Sequence, residues 1–205
     1  MNNLERMVFD AKDIHEFSAN YIIYLAKLLE RIDTNAIEAC IEELEIAHKE
    51  QNTVFIIGNG GSAATSSHMA NDLGTLACND EQDKPFCVLS LTDNVAAITA
   101  AGNDFGFEDI FIRQLQTVYK PGDRLIVISA SGNSENVIAT AKWVKHRNGK
   151  VIGLVGFDGG KLKDYCDILI HIETPKGEYG PVEDAHMILD HLMSTWLHYK
   201  KKEGK

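Results

Sequence analysis

Residues 53–62, Thr-Val-Phe-Ile-Ile-Gly-Asn-Gly-Gly-Ser, run an apolar strand straight into a glycine turn and a serine at a helix start. Glycines let the backbone turn sharply and leave its amide N–H groups uncovered, and a helix N-terminus adds partial positive charge. Such a junction is built to hold a phosphate. A second junction of the same design follows about seventy residues later: Arg124-Leu-Ile-Val-Ile-Ser129, then Ala130-Ser131-Gly132-Asn133-Ser134, then a helical pattern. Two such units at the strand ends of one sheet can converge on one anion.

From residue 53 the chain alternates strand and helix. Short apolar strands rich in Val, Ile and Leu are predicted at 53–57, 86–89, 124–129, 150–155 and 167–171, as in a parallel sheet buried on both faces. Helical patterns fill the intervals at about 62–76, 94–101, 107–118 and 134–147, with a short turn after Gly159-Gly160. Right-handed crossovers then give an α/β fold: a three-layer α/β/α sandwich around a five-stranded parallel sheet. Ligands of such sheets sit at the carboxyl ends of the strands, where both serine loops fall.

Two further helices precede the sheet. Ile14, Phe17, Tyr21, Tyr24, Leu25 and Leu28 form the stripe of the first, and Ile37, Ile41, Leu44 and Ala47 that of a second capped by Asp33-Thr34. The first either packs on another subunit or covers its own sheet. One domain is expected over 1–205, with oligomerising helices in 1–50 and an α/β core in 51–205. The last helix starts after Gly180-Pro181. Ala185, Ile188, Leu189, Leu192, Met193, Trp196 and Leu197 are its expected buried stripe, with Glu183, His186 and Asp190 opposite. Asp184 and His191 share a flank.

A formal charge of −10 argues against a nucleic-acid surface, and the only basic run is Lys200-Lys201-Lys202. An acidic chain must therefore hold a phosphate with local amides and hydroxyls. Cys40, Cys78, Cys87 and Cys166 lack paired spacing and read as reduced thiols. With no secretory leader and no apolar run of membrane-span length, the expectation is a cytoplasmic protein that does not engage a membrane.

The candidate substrate-binding residues are Asn59, Gly60, Gly61 and Ser62 in the first loop and Ser129, Ser131, Asn133 and Ser134 in the second, with Gly132 shaping its turn. Ordinary helix capping is the competing account of the serines. Thr92-Asp93-Asn94 follows the second strand, so Asp93 and Asn94 either face the same cleft or cap a helix. His68 and Asp72, four positions apart, project from one helix face; they can hold a metal, move a proton or simply pair at the surface. A second histidine–carboxylate set, with Glu183 and His191, waits on the last helix. A phosphate anchor with imidazoles and carboxylates beyond it suits aldose–ketose isomerisation, which needs a base to move a proton between adjacent carbons and an acid or metal at the enediolate oxygen.

Gly58-Asn59-Gly60-Gly61-Ser62, Gly102-Asn103-Asp104-Phe105-Gly106-Phe107, Ser129-Ala130-Ser131-Gly132-Asn133-Ser134 and Gly156-Phe157-Asp158-Gly159-Gly160-Lys161 together resemble the sugar isomerase (SIS) domain family, and within it the phosphoheptose isomerase branch. The resemblance covers nearly the whole chain. It implies a flavodoxin-like fold and a homotetramer with active sites at subunit interfaces. It also implies conversion of sedoheptulose 7-phosphate to D-glycero-D-manno-heptose 7-phosphate. Carried over by position, it makes His68, Asp72, Glu183 and His191 zinc ligands and Asp72 and His191 the catalytic pair, with Glu183 also at the substrate. The chain departs from the branch at four of these motif positions. Asp72 stands where glutamate is usual, Glu183 where glutamine is, Asn71 where a further glutamate often stands, and Ala130 where threonine does. The family also includes phosphosugar sensors and a tetrameric adaptor of a bacterial replication initiator, so a binding protein is the alternative to an enzyme.

Overall fold

Five apolar runs become strands, β1 (Thr53–Gly58), β2 (Cys87–Ser90), β3 (Arg124–Ser129), β4 (Lys150–Phe157) and β5 (Ile168–Glu173). The computed structural model describes residues 1–76 and 84–202; Cys78 lies outside them. The strands lie in the order β2-β1-β3-β4-β5, every neighbouring pair parallel. The chain steps from β1 out to β2, then returns to place β3 on the other side of β1. The sheet therefore reverses its winding between β1 and β3, and crossovers leave a crevice there at the carboxyl ends of the strands. The two serine loops leave these two strands, so they are neighbours.

Successive strand residues face opposite layers. Val54, Ile56, Ile126, Ile128, Ile152 and Leu154 join one core, while Phe55, Ile57, Leu125, Val127, Val151 and Val155 join the other. The first core is roofed by α3 (Thr34–Glu50), α4 (Gly61–Asn71) and α8 (Tyr179–Lys202). The second is closed by α5 (Val95–Asp104), α6 (Ile112–Val118) and α7 (Glu135–Lys145). This is the expected three-layer sandwich. No helix among the described residues is long and apolar enough to cross a membrane.

Four expectations are corrected. Three helices rather than two precede the sheet, because Asn2 caps an additional α1 (Asn3–Asp10) with a reciprocal box to Glu5. The helix expected over 62–76 ends at Asn71 and continues as a wider π-turn from Asp72 to Leu76. The segment 107–118 divides into a 3-10 turn, Phe107–Asp109, and α6.

The fourth concerns α8. Its buried face is Val182, Ala185, His186, Leu189, Asp190, Met193 and Leu197, whereas Ile188, Leu192 and Trp196 are exposed. Apolar residues cover two adjacent faces of this helix, and the one turned inward also carries His186 and Asp190. Apolarity alone could not choose between the two. α2 (Ile14–Leu29) buries only Leu28 and docks on the start of α8 through Tyr21 to Asp184 (2.6 Å) and Tyr24 to Glu178.

Burial holds the His186 imidazole down at about 4. The Val155 backbone opposes the shift only in part, and neither ring nitrogen completes a hydrogen bond with it. In the unfolded chain the ring takes up a proton near pH 6.5, so between that value and about 4 the unfolded state binds more protons and stability falls as pH falls. Asp190 acts oppositely. Burial, then the Asp72 charge, push its carboxyl up to about 7, so its contribution is lost as pH rises toward that value. The wild-type curve therefore contains two opposed slopes, and the His186 slope shows only in a difference. Urea unfolding of metal-stripped protein at matched pH should show His186→Gln gaining on wild type from pH 6.5 toward 4, by on the order of 3 kcal/mol at the acid end. A difference independent of pH contradicts a buried neutral imidazole.

Candidate active site

The second loop is shaped by its own hydroxyls. Ser129 Oγ accepts the Gly132 N–H at 3.1 Å and Ser131 Oγ accepts the Asn133 N–H at 3.2 Å. Gly132 has φ +59, and a Cβ there would lie 2.1 Å from the Gly159 carbonyl, so only glycine fits. Asn133 Oδ1 accepts the Lys161 N–H at 3.1 Å and Gly132 O accepts the Leu162 N–H at 2.9 Å, which pins this loop to the Gly159-Gly160 turn. Ser134 stands at the N-cap of α7, yet its side chain makes no cap bond, and Ser62 in the first turn of α4 makes no side-chain hydrogen bond among the described residues. For these two hydroxyls capping is not the occupation.

Asn59 and Asn136 bind the loops to each other. Each donates its amide N–H to the other's carbonyl oxygen at 2.8 Å. Asn136 is buried and was not among the sequence candidates, since an asparagine in the first turn of a helix carries no distinctive signal. Asn94 caps α5 through the Ala97 N–H at 3.0 Å. Asp93 instead accepts the Ser67 hydroxyl, and Thr92 meets Ser67 at 3.0 Å, so the β2 loop is fastened to the side of α4.

α4 and α8 run parallel along a shared seam. At its start Glu183 presses on Gly61, where an added Cβ would meet the carboxylate at 2.2 Å. About two turns further along, His68 and His191 bring their Nε2 atoms to 3.0 Å. His68 Nε2 is also 3.4 Å from Asp72 Oδ2 and 3.9 Å from Asp190 Oδ2. Asp72 opens the π-turn, a wider backbone coil that recurs at functional sites. The two aspartates are buried and the histidines reach the surface. Both Asp190 oxygens lack a hydrogen-bond partner among the described residues. Burial, then Asp184, raise the pKa of Glu183.

One donor atom from each of His68, Asp72, Asp190 and His191 lies within 4.8 Å of the others. Tetrahedral zinc bonded at about 2.0 Å spaces its ligand atoms about 3.3 Å apart, so the contacts of 3.0, 3.4 and 3.9 Å bracket that figure. The residues fit a divalent metal. Of the sequence-derived set, the fold brings His68, Asp72 and His191 together and places Glu183 at the phosphate loop. Asp190, expected on the face opposite the buried stripe of the last helix, joins the group. The chemistry available is an anion cradle at one end of the seam and two imidazoles with two carboxylates at the other.

A family model described as the SIS domain matches residues 20–156. The phosphoheptose isomerase of Nitratiruptor sp. is 40% identical over 158 residues, 77% of this chain and 80% of that protein. That of Aneurinibacillus thermoaerophilus is 35% identical over 82% of this chain and 79% of its own length. Among solved structures, phosphoheptose isomerase GmhA from Neisseria gonorrhoeae superposes with a TM-score of 0.80 at 28% identity, covering 90% of this chain and 98% of that one.

The two glycines of the loops differ in what an added methyl meets. Gly132→Ala runs into backbone at positive φ and should cost roughly 2 kcal/mol or more in urea unfolding. Gly61→Ala meets only the mobile end of Glu183 at the head of a helix, and its cost should stay below about 1 kcal/mol. Equal costs would mean that the second loop yields as easily as a side chain.

Proposed function

The chain belongs to the SIS-domain family and to its phosphoheptose isomerase group, and from that premise we propose that it converts sedoheptulose 7-phosphate into D-glycero-D-manno-heptose 7-phosphate. It is an aldose–ketose isomerase. The observation that carries the substrate assignment is the α4–α8 seam, with the Ser62 hydroxyl unpartnered among the described residues at one end and four ionisable side chains gathered within 4.8 Å at the other. From Ser62 to His68 the helix advances about 9 Å, a separation suited to a sugar with its phosphate at one terminus and its carbonyl at the other.

The phosphate is received by the first-turn amides of α4 and by the hydroxyls of Ser62, Ser131 and Ser134. Asn59 and Ser129 hold the loops in shape. Asp72 takes a proton from C1 of the ketose and returns it to C2, while His191 moves the balancing proton between the two oxygens. No atom is gained or lost, and the carbonyl passes from C2 to C1. His68, Asp72 and His191 would hold a divalent metal, zinc by the family's chemistry, which would polarise those oxygens. Burial of Asp72 beside the imidazoles excludes competing water from the proton path.

The working form is a homotetramer in the cytoplasm. Its support is apolar surface that one chain leaves uncovered: Val8 and Phe9 on α1, Ile14 and Ile22 on α2, and Leu192 and Trp196 on α8. The last pair borders a groove of about 980 Å³ between α3 and α8 that also reaches His191, so a neighbouring subunit seated there would close the site. Among the described residues Cys40, Cys87 and Cys166 carry free thiols, as a reducing compartment allows.

Incubation with sedoheptulose 7-phosphate, followed by NMR, should show the heptose 7-phosphate appearing. Asp72→Asn should lower kcat by about 10²–10⁴ while KM moves little, since the phosphate anchor is untouched. Absence of turnover on this ketose and on other ketose and aldose phosphates would turn the reading to a phosphosugar-binding protein.

A further inference from the structure

The buried carboxylate of Asp190 has no account in the isomerase chemistry above. It lies on the inward face of α8, wholly shielded from solvent, and neither oxygen meets a hydrogen-bond donor among the described residues. A buried carboxylate with no donor on either oxygen is either kept protonated or completed by a cation, and here the carboxylate lies beside the ligand atoms of His68, Asp72 and His191. The partial partner in view is His68 Nε2 at 3.9 Å, which itself turns toward His191 and Asp72. Asp190 therefore points into the same small volume as both imidazoles and the other carboxylate.

We infer that Asp190, not Glu183, supplies the fourth protein ligand to a divalent metal at this site. The inference rests on the isomerase reading for its purpose. One turn of α8 carries both Asp190 and His191, so adjacent residues bring a carboxylate from the core side and an imidazole from the solvent side. Glu183 sits about two turns back along the seam, against Gly61, and is absent from the group of converging ligand atoms. Two neutral imidazoles and two carboxylates balance a 2+ ion without net charge. Glu183 is left to act at the phosphate end, where a carboxylate beside the cradle disfavours a second negative charge and tunes how tightly the phosphate is held.

The test uses the full chain stripped with chelator, then titrated with Zn²⁺ against a competing indicator and no sugar present. Asp190→Asn should weaken zinc at least tenfold, and Glu183→Gln should stay within threefold of wild type. The melting temperature in chelator shows whether each variant folds. If Asp190→Asn does not fold, Asp190→Glu loaded with Co²⁺ should shift the visible absorption band of the metal, since a longer ligand changes its geometry, while Glu183→Gln leaves the band in place. Zinc affinity of Asp190→Asn within threefold of wild type, an equal loss in Glu183→Gln, an unshifted Co²⁺ band, or a wild type that takes up no zinc would overturn the assignment. Turnover is read separately by NMR: if it persists while the metal result fails, this inference falls and the isomerase reading stands.

Discussion

Close contact between α4 and α8 is the interaction on which the site depends. Gly61 lets the first turn of α8 approach the phosphate loop without a Cβ in the way, and from there the two helices stay in step for two turns. Parallel packing in register delivers His191 and Asp190 opposite His68 and Asp72. A rotation of α8 by one residue, about 100°, would send Asp190 toward solvent and leave the histidine of α4 alone. What fixes the rotation is the inward row Val182, Ala185, Leu189, Met193 and Leu197, all buried in the first core. Two ionisable residues are carried into the interior on that row, and the packing of five apolar side chains offsets the cost of placing them there.

The sheet supplies the other half. Its winding reverses between β1 and β3, so two loops separated by about seventy residues of chain lie side by side. The Asn59–Asn136 amide pair then holds them at a set distance, and the Gly159-Gly160 turn closes against the second loop from the other flank. Several of the candidate substrate-binding side chains also fasten the loops. Ser129, Asn133 and Asn94 spend hydrogen-bonding capacity on the backbone, whereas Ser62 and Ser134 keep theirs. The division has a physical basis, since a cradle that binds by orientation must be stiff before the ligand arrives.

Of the four departures that the resemblance implies, Asn71, Asp72 and Glu183 fall on or beside α4 and α8, and Ala130 falls in the loop after β3. Asp72 is shorter than the glutamate usual there, but it stands at the entry to a π-turn, where the backbone coil is wider. Glu183 brings charge to a position that is ordinarily neutral, and Asp190 brings another within a few ångströms of the imidazoles. Such changes are best read as a set, because each alters the electrostatic surroundings of the next.

Fold class, strand positions and both serine loops were legible from local pattern, because a buried parallel strand and a glycine turn each leave a mark within ten residues. So was the presence of histidine and carboxylate on the helices after the first loop and at the chain's end. Local pattern could not say which apolar face of α8 turns inward, since Ile188, Leu192 and Trp196 are as apolar as the residues that do. It also hid the π-turn at Asp72 and the pairing of Asn59 with Asn136, which spans 77 residues of chain, whereas the Asn2–Glu5 box that starts α1 is a local signal that went unread. Local pattern was thus enough for the sheet, most of its covering helices and the kinds of chemistry they carry. Which carboxylate meets which imidazole was decided only by tertiary packing, because helix rotation depends on the summed contacts of a whole face and not on any one residue.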